Sequence, residues 1–189
     1  MPNHISQQPV KRVVIGIAGQ IGAGKTSVGK YLNSVCGFFY IRYSQVLAEW
    51  LSEDAEGKAN LQVVGWEVMV GGMQSELNSR LIARIPPHTD SAVDGLRHPI
   101  DYDSLRRAFG YRDFYLIYIE SALETRWSRL KSRFPTLKEF SQRESHPVEQ
   151  HIPALKRNAF TSIPNEGSLQ ELYSEVDSVL AKIRNEKRS

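Results

Sequence analysis

The residues best suited to chemistry form one contiguous run, Gly19-Gln20-Ile21-Gly22-Ala23-Gly24-Lys25-Thr26, followed directly by Ser27. The run satisfies the pattern G-x-x-x-x-G-K-[ST] at every position. Glycines at these spacings let the backbone turn sharply, so that several N–H groups converge on phosphate oxygens. A helix opening at the lysine adds the partial positive charge of its N-terminus. Lys25 then reaches the β- and γ-phosphates as a point charge, and the Thr26 hydroxyl is available to a magnesium ion. Gly19 through Ser27 is the candidate phosphate cradle.

A metal beside those phosphates needs a carboxylate, usually at the end of a neighbouring strand. Ala92-Val93-Asp94-Gly95 offers one. Asp94 is expected to hold magnesium through water, to take the acceptor's proton, or both; the plain alternative is a turn Asp-Gly pair closing a strand. Arg97, three residues on, is expected to hold an acceptor phosphate or to pair with Asp94. Arg126, Arg129 and Arg133 follow at i, i+3 and i+7, a spacing that predicts one helical face, with Trp127 and Leu130 turned to the core. Three guanidiniums at the strand ends would neutralise charge on a phosphoryl group in transfer or stack on an adenine. The alternative is a solvent-facing basic stripe; Arg129 and Arg133 are preferred because they approach the polar segment that follows.

These side chains need a scaffold, and the sequence alternates strand and helix patterns. Val13 to Ile17 is a β-branched run ending at small residues, and Val28, Tyr31, Leu32 and Val35 recur at helical spacing until Gly37. Phe38 to Tyr43 reads as a strand. Val46 to Leu51 and Leu61 to Ile82 read as helical, with a break at Gly71-Gly72 and a stop at Pro86-Pro87. Ala92 to Asp94 is a short third strand, Leu105 to Phe109 a short helix, and Asp113 to Glu120 the strongest strand pattern. Ser121 with Glu124 has the form of a capping box opening a helix to about Arg133, and Pro135 to Asn158 is polar with broken helical patterns. Phe160 to Ile163 is a last strand. Ser168 with Glu171 opens a final helix with Leu169, Leu172, Tyr173, Val176, Leu180 and Ile183 on one face. Such alternation predicts an α/β fold, a parallel sheet covered on both faces with ligands at the strand C-terminal edge.

Composition narrows the classes. With 189 residues, 41% hydrophobic and 24% charged, the chain can hold a core without staples. Its longest apolar runs, such as Phe114 to Ile119, are too short to span a membrane, and Met1 to Gln8 lacks the apolar core of a signal peptide. One cysteine, Cys36, excludes an internal disulfide and a clustered-cysteine metal site, and a cytoplasmic, reducing location is expected. Lys plus Arg is 24 against 21 Asp plus Glu, a net charge of +3 spread along the chain, so a nucleic-acid partner is not favoured. Cys36 reads as a small hydrophobe, His98 as a loop residue, and His146 with His151 as a poor metal pair.

Together these residues resemble P-loop nucleoside and nucleotide kinases, the group of adenylate kinase, dephospho-CoA kinase and the deoxynucleoside monophosphate kinases. The resemblance rests on Gly19 to Thr26, on Val93-Asp94-Gly95-Leu96-Arg97, on Arg126, Arg129 and Arg133, and on Asn165-Glu166-Gly167-Ser168-Leu169 before the last helix. It implies a three-layer α/β/α P-loop NTPase fold with a five-stranded parallel sheet of order 2-3-1-4-5. Residues 1–189 would form one domain, with a helical acceptor-binding insertion over 44–84 and a lid-like segment over 134–158. It implies ATP and magnesium, with γ-phosphoryl transfer to a small nucleotide-like acceptor such as a nucleoside or deoxynucleoside monophosphate or a dephospho-CoA-like molecule. Lys25, Asp94, Arg97, Arg129 and Arg133 would be catalytic; Thr26 and Asp94 would serve the metal. Arg129, Asn165 and Gly167 would flank the nucleotide, and Arg42, Ser44 and Arg97 the acceptor. Many relatives carry an acidic residue after the second strand, where this chain has Tyr43-Ser44-Gln45. That departure motivates an alternative, a nucleotide-binding regulatory or switch module descended from such kinases, with little or no transfer activity.

Overall fold

The computed structural model describes residues 12–54 and 61–188; Met1 to Gln8 lies outside them. Five strands form one sheet: β1 (Val14–Ala18), β2 (Phe39–Arg42), β3 (Ser91–Asp94), β4 (Phe114–Glu120) and β5 (Thr161–Pro164). All pairings are parallel and the order is β2-β3-β1-β4-β5, the expected one. The register sets Asp94 beside Ile17 on one side and Arg42 on the other, so the C-terminal ends of β1, β2 and β3 lie at one edge.

Side-chain alternation along the strands builds a core on each face. Val14 and Ala18 of β1 and Phe114, Leu116 and Tyr118 of β4 face one cluster with Leu81 and Leu105. Ile15 and Ile17, with Ile117 and Ile119, face the other, closed by Leu172, Val176, Leu180 and Ile183. Each of the buried Val, Leu, Ile and Phe side chains contributes roughly 1.5–3 kcal/mol, which holds the sheet edge still beneath the site. Gly16 is required because a Cβ there would stand 2.9 Å from the Phe114 ring.

Helix α1 (Lys25–Ser34) follows the glycine run directly. Helix α2 (Tyr43–Asp54) begins at the residue after β2, three positions before the apolar spacing from Val46 suggests. Helices α3 (Leu61–Val70) and α4 (Gln74–Ala83) are separated at Gly71-Gly72, as expected, and Gly72 takes φ 73° there. Helix α5 (Pro99–Phe109) is longer than the Leu105-to-Phe109 pattern, because His98 and Asp101 form a capping box with proline in the first turn.

The largest correction concerns helix α6 (Leu123–Arg129). Its N-cap is Ala122, not Ser121, and the Ala122 N–H donates to Glu166 Oε1, a cap from another element. The helix stops at Leu130 instead of reaching Arg133, so the three arginines do not share a helical face. The polar segment then forms α7 (Leu137–Glu144), capped by Thr136 and Glu139, a 3-10 turn at Pro147–Glu149, and the short α8 (Ile152–Leu155). Helix α9 (Leu169–Glu186) opens on the expected Ser168–Glu171 capping box. Among the described residues no helix is long and apolar enough to cross a membrane.

Candidate active site

The glycine run forms a loop between β1 and α1 with Gly19, Gly22 and Gly24 at φ 147°, 80° and 107°. Close approach enforces all three positions: a Cβ on Gly19 would strike the Ile119 carbonyl, one on Gly22 would meet the Arg126 carbonyl at 2.8 Å, and one on Gly24 would strike Asn165 Nδ2. Gly24 caps α1 without a side-chain bond, and the first turn carries no acidic residue. No acidic side chain of the turn itself therefore competes for its amides, which belong to residues lining the cleft.

Lys25 Nζ lies over the loop and donates to the Gly19 carbonyl at 2.7 Å and the Gln20 carbonyl at 2.9 Å. Burial lowers its pKa from 10.5; the carboxylates of Asp94 and then Glu149 oppose the shift. Thr26 Oγ1 donates to Asp94 Oδ2 at 3.1 Å, and the Tyr40 hydroxyl donates to the same oxygen at 2.8 Å. Tyr40 is correspondingly raised, first by burial and then by Asp94. Asp94 and Thr26, from separate parts of the sequence, are thus in contact.

A cleft of about 530 Å³ extends from this loop. Gly22, Gly24, Lys25, Thr26 and Ser27 line it together with Asp94. Arg42, Ser44, Arg97, Arg129 and Arg133 line the same cleft. Leu130, expected in the core, also lines the cleft. Ile21 also lines the cleft, whereas Gly19, Gln20 and Ala23 belong to the loop without lining it: Ala23 is buried, and Gln20 Nε2 donates to Glu144 Oε1 at 2.9 Å. Gly167 is exposed and packs against the Glu171 carboxylate.

The three arginines do different work. Arg126 is buried; it donates to the carbonyls of Ser121 and Ile21 and pairs with Glu144 of α7. Arg129 donates to Ser121 Oγ at 3.1 Å, to the Asn165 carbonyl at 2.9 Å and to Asn165 Oδ1 at 3.3 Å. Arg133 stands exposed beyond the helix end. Asn165 is buried and donates from Nδ2 to the Ala23 carbonyl at 2.8 Å, so it braces the loop from behind.

Four further cleft residues were not singled out individually by the sequence, although Gln74 falls in the expected insertion over 44–84 and Arg143 and Glu149 in the expected segment over 134–158. Asp101 is buried in the cleft floor, and its Oδ2 accepts from the N–H groups of Arg97 (2.9 Å) and His98 (3.0 Å). Its Oδ1 accepts from Gln74 Nε2 at 2.5 Å, and burial raises its pKa against those hydrogen bonds. The His98-x-x-Asp101 spacing was a readable cap pattern; Gln74 had no comparable mark. Glu149 is buried and lies 3.5 Å from Arg97 Nη1. Arg143 lines the same cleft, its pKa lowered by burial and by the nearby Arg133. His98, read as a loop residue, caps α5 and packs edge-on against His151 with ring centroids 4.6 Å apart. Burial and His151 lower its pKa.

No protein-family model matches the chain. A Methanoculleus marisnigri protein described as "UPF0200 protein" is 25% identical over 182 residues, spanning 90% of this chain and 96% of its own. Among solved structures, an APS kinase from Mycobacterium tuberculosis in complex with AMPPNP and APS superposes with TM-score 0.61 at 15% identity, covering 92% of this chain and 99% of that one. A shikimate kinase from Acinetobacter baumannii in complex with shikimate gives TM-score 0.56 at 18% identity, covering 90% and 94%. With the sheet order, the glycine loop and these neighbours in hand, the chain has the fold of the P-loop kinases.

Proposed function

We propose that the protein transfers the γ-phosphoryl group of ATP, with magnesium, to a small nucleotide-like acceptor. The observation that carries this reading is the contact of Thr26 Oγ1 with Asp94 Oδ2 at the mouth of the glycine loop, with Lys25 beside it. The residues fit the groups they would hold. Hydroxyl and carboxylate oxygens are the hard ligands that magnesium takes, directly or through water. The turn of the loop depends on glycine, because a Cβ at Gly22 would meet Arg126 and one at Gly24 would meet Asn165.

In this reading the amides of residues 22–27 bind the donor phosphates, and Lys25 leaves its two carbonyl partners to reach the β- and γ-oxygens. Thr26 and Asp94 hold magnesium, which supplies charge neutralisation on those oxygens. Arg97, fixed at its backbone by Asp101, orients the acceptor, with Arg42 and Ser44 beside it. Arg129 and Arg133 offset charge on the group in transfer. Catalysis here is chiefly positioning and electrostatics, which suits a site with many fixed cations. Arg129 and Asn165 border the nucleotide and hold the loop in shape; Gly167 is next to them in sequence.

The test is ADP production in the presence of magnesium with a panel of nucleoside monophosphates and dephospho-CoA. Acceptor-stimulated turnover is expected from at least one member. Its absence across the panel would remove the transferase reading.

A further inference from the structure

Three carboxylates line the cleft among the described residues: Asp94, Asp101 and Glu149. Their surroundings assign them different work. Asp94 accepts hydrogen bonds from Thr26 and Tyr40 and sits at the metal position. Asp101 has both oxygens taken, Oδ1 by Gln74 and Oδ2 by two backbone N–H groups. Glu149 differs from both. It comes from the 3-10 turn of the lid-like segment, is 8% exposed, and stands 3.5 Å from Arg97 Nη1. That distance is ion-pair range and longer than a good hydrogen bond. Its charge also acts on the Lys25 ammonium, second only to Asp94 among the carboxylates. Glu149 therefore lines the cleft that Arg97 and Lys25 also line, and stands in ion-pair range of the first.

The acceptor's chemistry follows from that position. A phosphate monoester has a second pKa of about 6 and reaches the site at neutral pH with its attacking oxygen already ionised. It needs no base, and a carboxylate beside it adds repulsion between like charges. An alcohol keeps its proton until attack, and a carboxylate within reach can accept it, as an aspartate does for hydroxyl substrates in protein kinases. We propose that the acceptor attacks through a hydroxyl group and that Glu149 takes its proton. The arginines of the cleft then hold an anionic group elsewhere on the same molecule. The O–H bond of the acceptor breaks and its proton passes to the Glu149 carboxylate. The acceptor oxygen bonds to the γ-phosphorus, the bond from that phosphorus to the β–γ bridging oxygen breaks, and ADP leaves with the electron pair. The products are ADP and a phosphomonoester, and Glu149 returns the proton to water.

This rests on the phosphotransferase reading, and the experiment separates the two. The parent protein is incubated with ATP and magnesium and with adenosine 5′-monosulfate, dephospho-CoA, AMP or CMP, and products are followed by phosphorus NMR, with ATP binding measured alongside. A new phosphomonoester signal is expected, with Glu149→Gln lowering kcat roughly 100-fold or more while the acceptor KM and ATP affinity hold. Glu149→Asp, which keeps the charge, should restore part of the rate, and the acid limb of the parent pH–rate profile should vanish in Glu149→Gln. A purely structural partner of Arg97 would instead raise KM and leave that limb in place, which overturns the proposal. A phosphoanhydride product overturns it too, and this result needs no variant. ATP binding with no phosphomonoester from either hydroxyl probe overturns the hydroxyl assignment and leaves the donor site standing. No ATP binding by the parent removes both readings.

Discussion

Thr26 Oγ1 lies 3.1 Å from Asp94 Oδ2, although 68 positions separate the two residues in the chain. The parallel pairing of β1 with β3 makes this contact, because it brings Asp94 level with Ile17, just before the glycine loop. A hydroxyl and a carboxylate in contact beside a phosphate cradle define where a divalent cation would sit. Asp94→Asn keeps the shape and removes the charge. It should raise the magnesium concentration for half-maximal turnover by roughly 10- to 100-fold, the usual cost of losing a group that orients a metal's ligands. A magnesium titration of ADP production measures this, and an unchanged curve would move the metal elsewhere.

Gly24 is held at φ 107° with Asn165 Nδ2 against the position a Cβ would fill. Gly24→Ala should cost stability by about 1–2 kcal/mol from backbone conformation alone, with more from the clash. ATP affinity should fall with it, because the amides of α1 are displaced. Thermal melting with and without ATP reads both effects; a variant that melts and binds like the parent would show the loop to be looser than the geometry implies.

Asn165 ties the loop after β5 to the Ala23 carbonyl. Asn165→Ala leaves that buried carbonyl without its donor, a loss of about 1–3 kcal/mol. Arg129 retains its bonds to Ser121 Oγ and to the backbone carbonyl at 165. The expected result is a lower denaturation midpoint with weakened ATP binding. A change in ATP binding without a change in stability would mean that Asn165 touches the nucleotide directly.

How far the sequence pattern reached follows from where each signal lay. The phosphate loop was legible because its glycines, lysine and threonine are contiguous, and each answers one demand of phosphate binding. Asp94 was legible as an acid at a strand end. The arginine row was misread because helical spacing from Arg126 to Arg133 says nothing of where the helix stops. Its end at Leu130, and its cap by Glu166 from a loop 44 positions away, are tertiary facts. Gln74 and Glu149 come from separate helical turns with no motif of their own, and only the closed cleft joins them. Asn165 was expected at the nucleotide; its contact with Ala23 makes it a brace of the loop first.

Lys25 gives a pH signature. Its pKa is lowered from 10.5, chiefly by burial, so the unfolded chain holds the proton more tightly than the folded one. In the interval below 10.5, down to the folded value, the unfolded state binds more protons, and stability rises with pH. Below that interval the cost of burying the charge is present in full. In the absence of nucleotide, Lys25→Met should therefore be more stable than the parent at neutral pH, with the difference shrinking as pH approaches 10.5. Urea midpoints at neutral and alkaline pH check this; a variant less stable than the parent at neutral pH would contradict it.

Calorimetric titration of ATP with magnesium into the parent and into Lys25→Ala tests the donor site most directly. Saturable binding at one site is expected in the parent, with affinity at least about 10-fold weaker in the variant, the equivalent of 1.4 kcal/mol. Absence of binding in the parent, or equal affinity in both proteins, would contradict the claim that the loop from Gly19 to Ser27 holds a triphosphate.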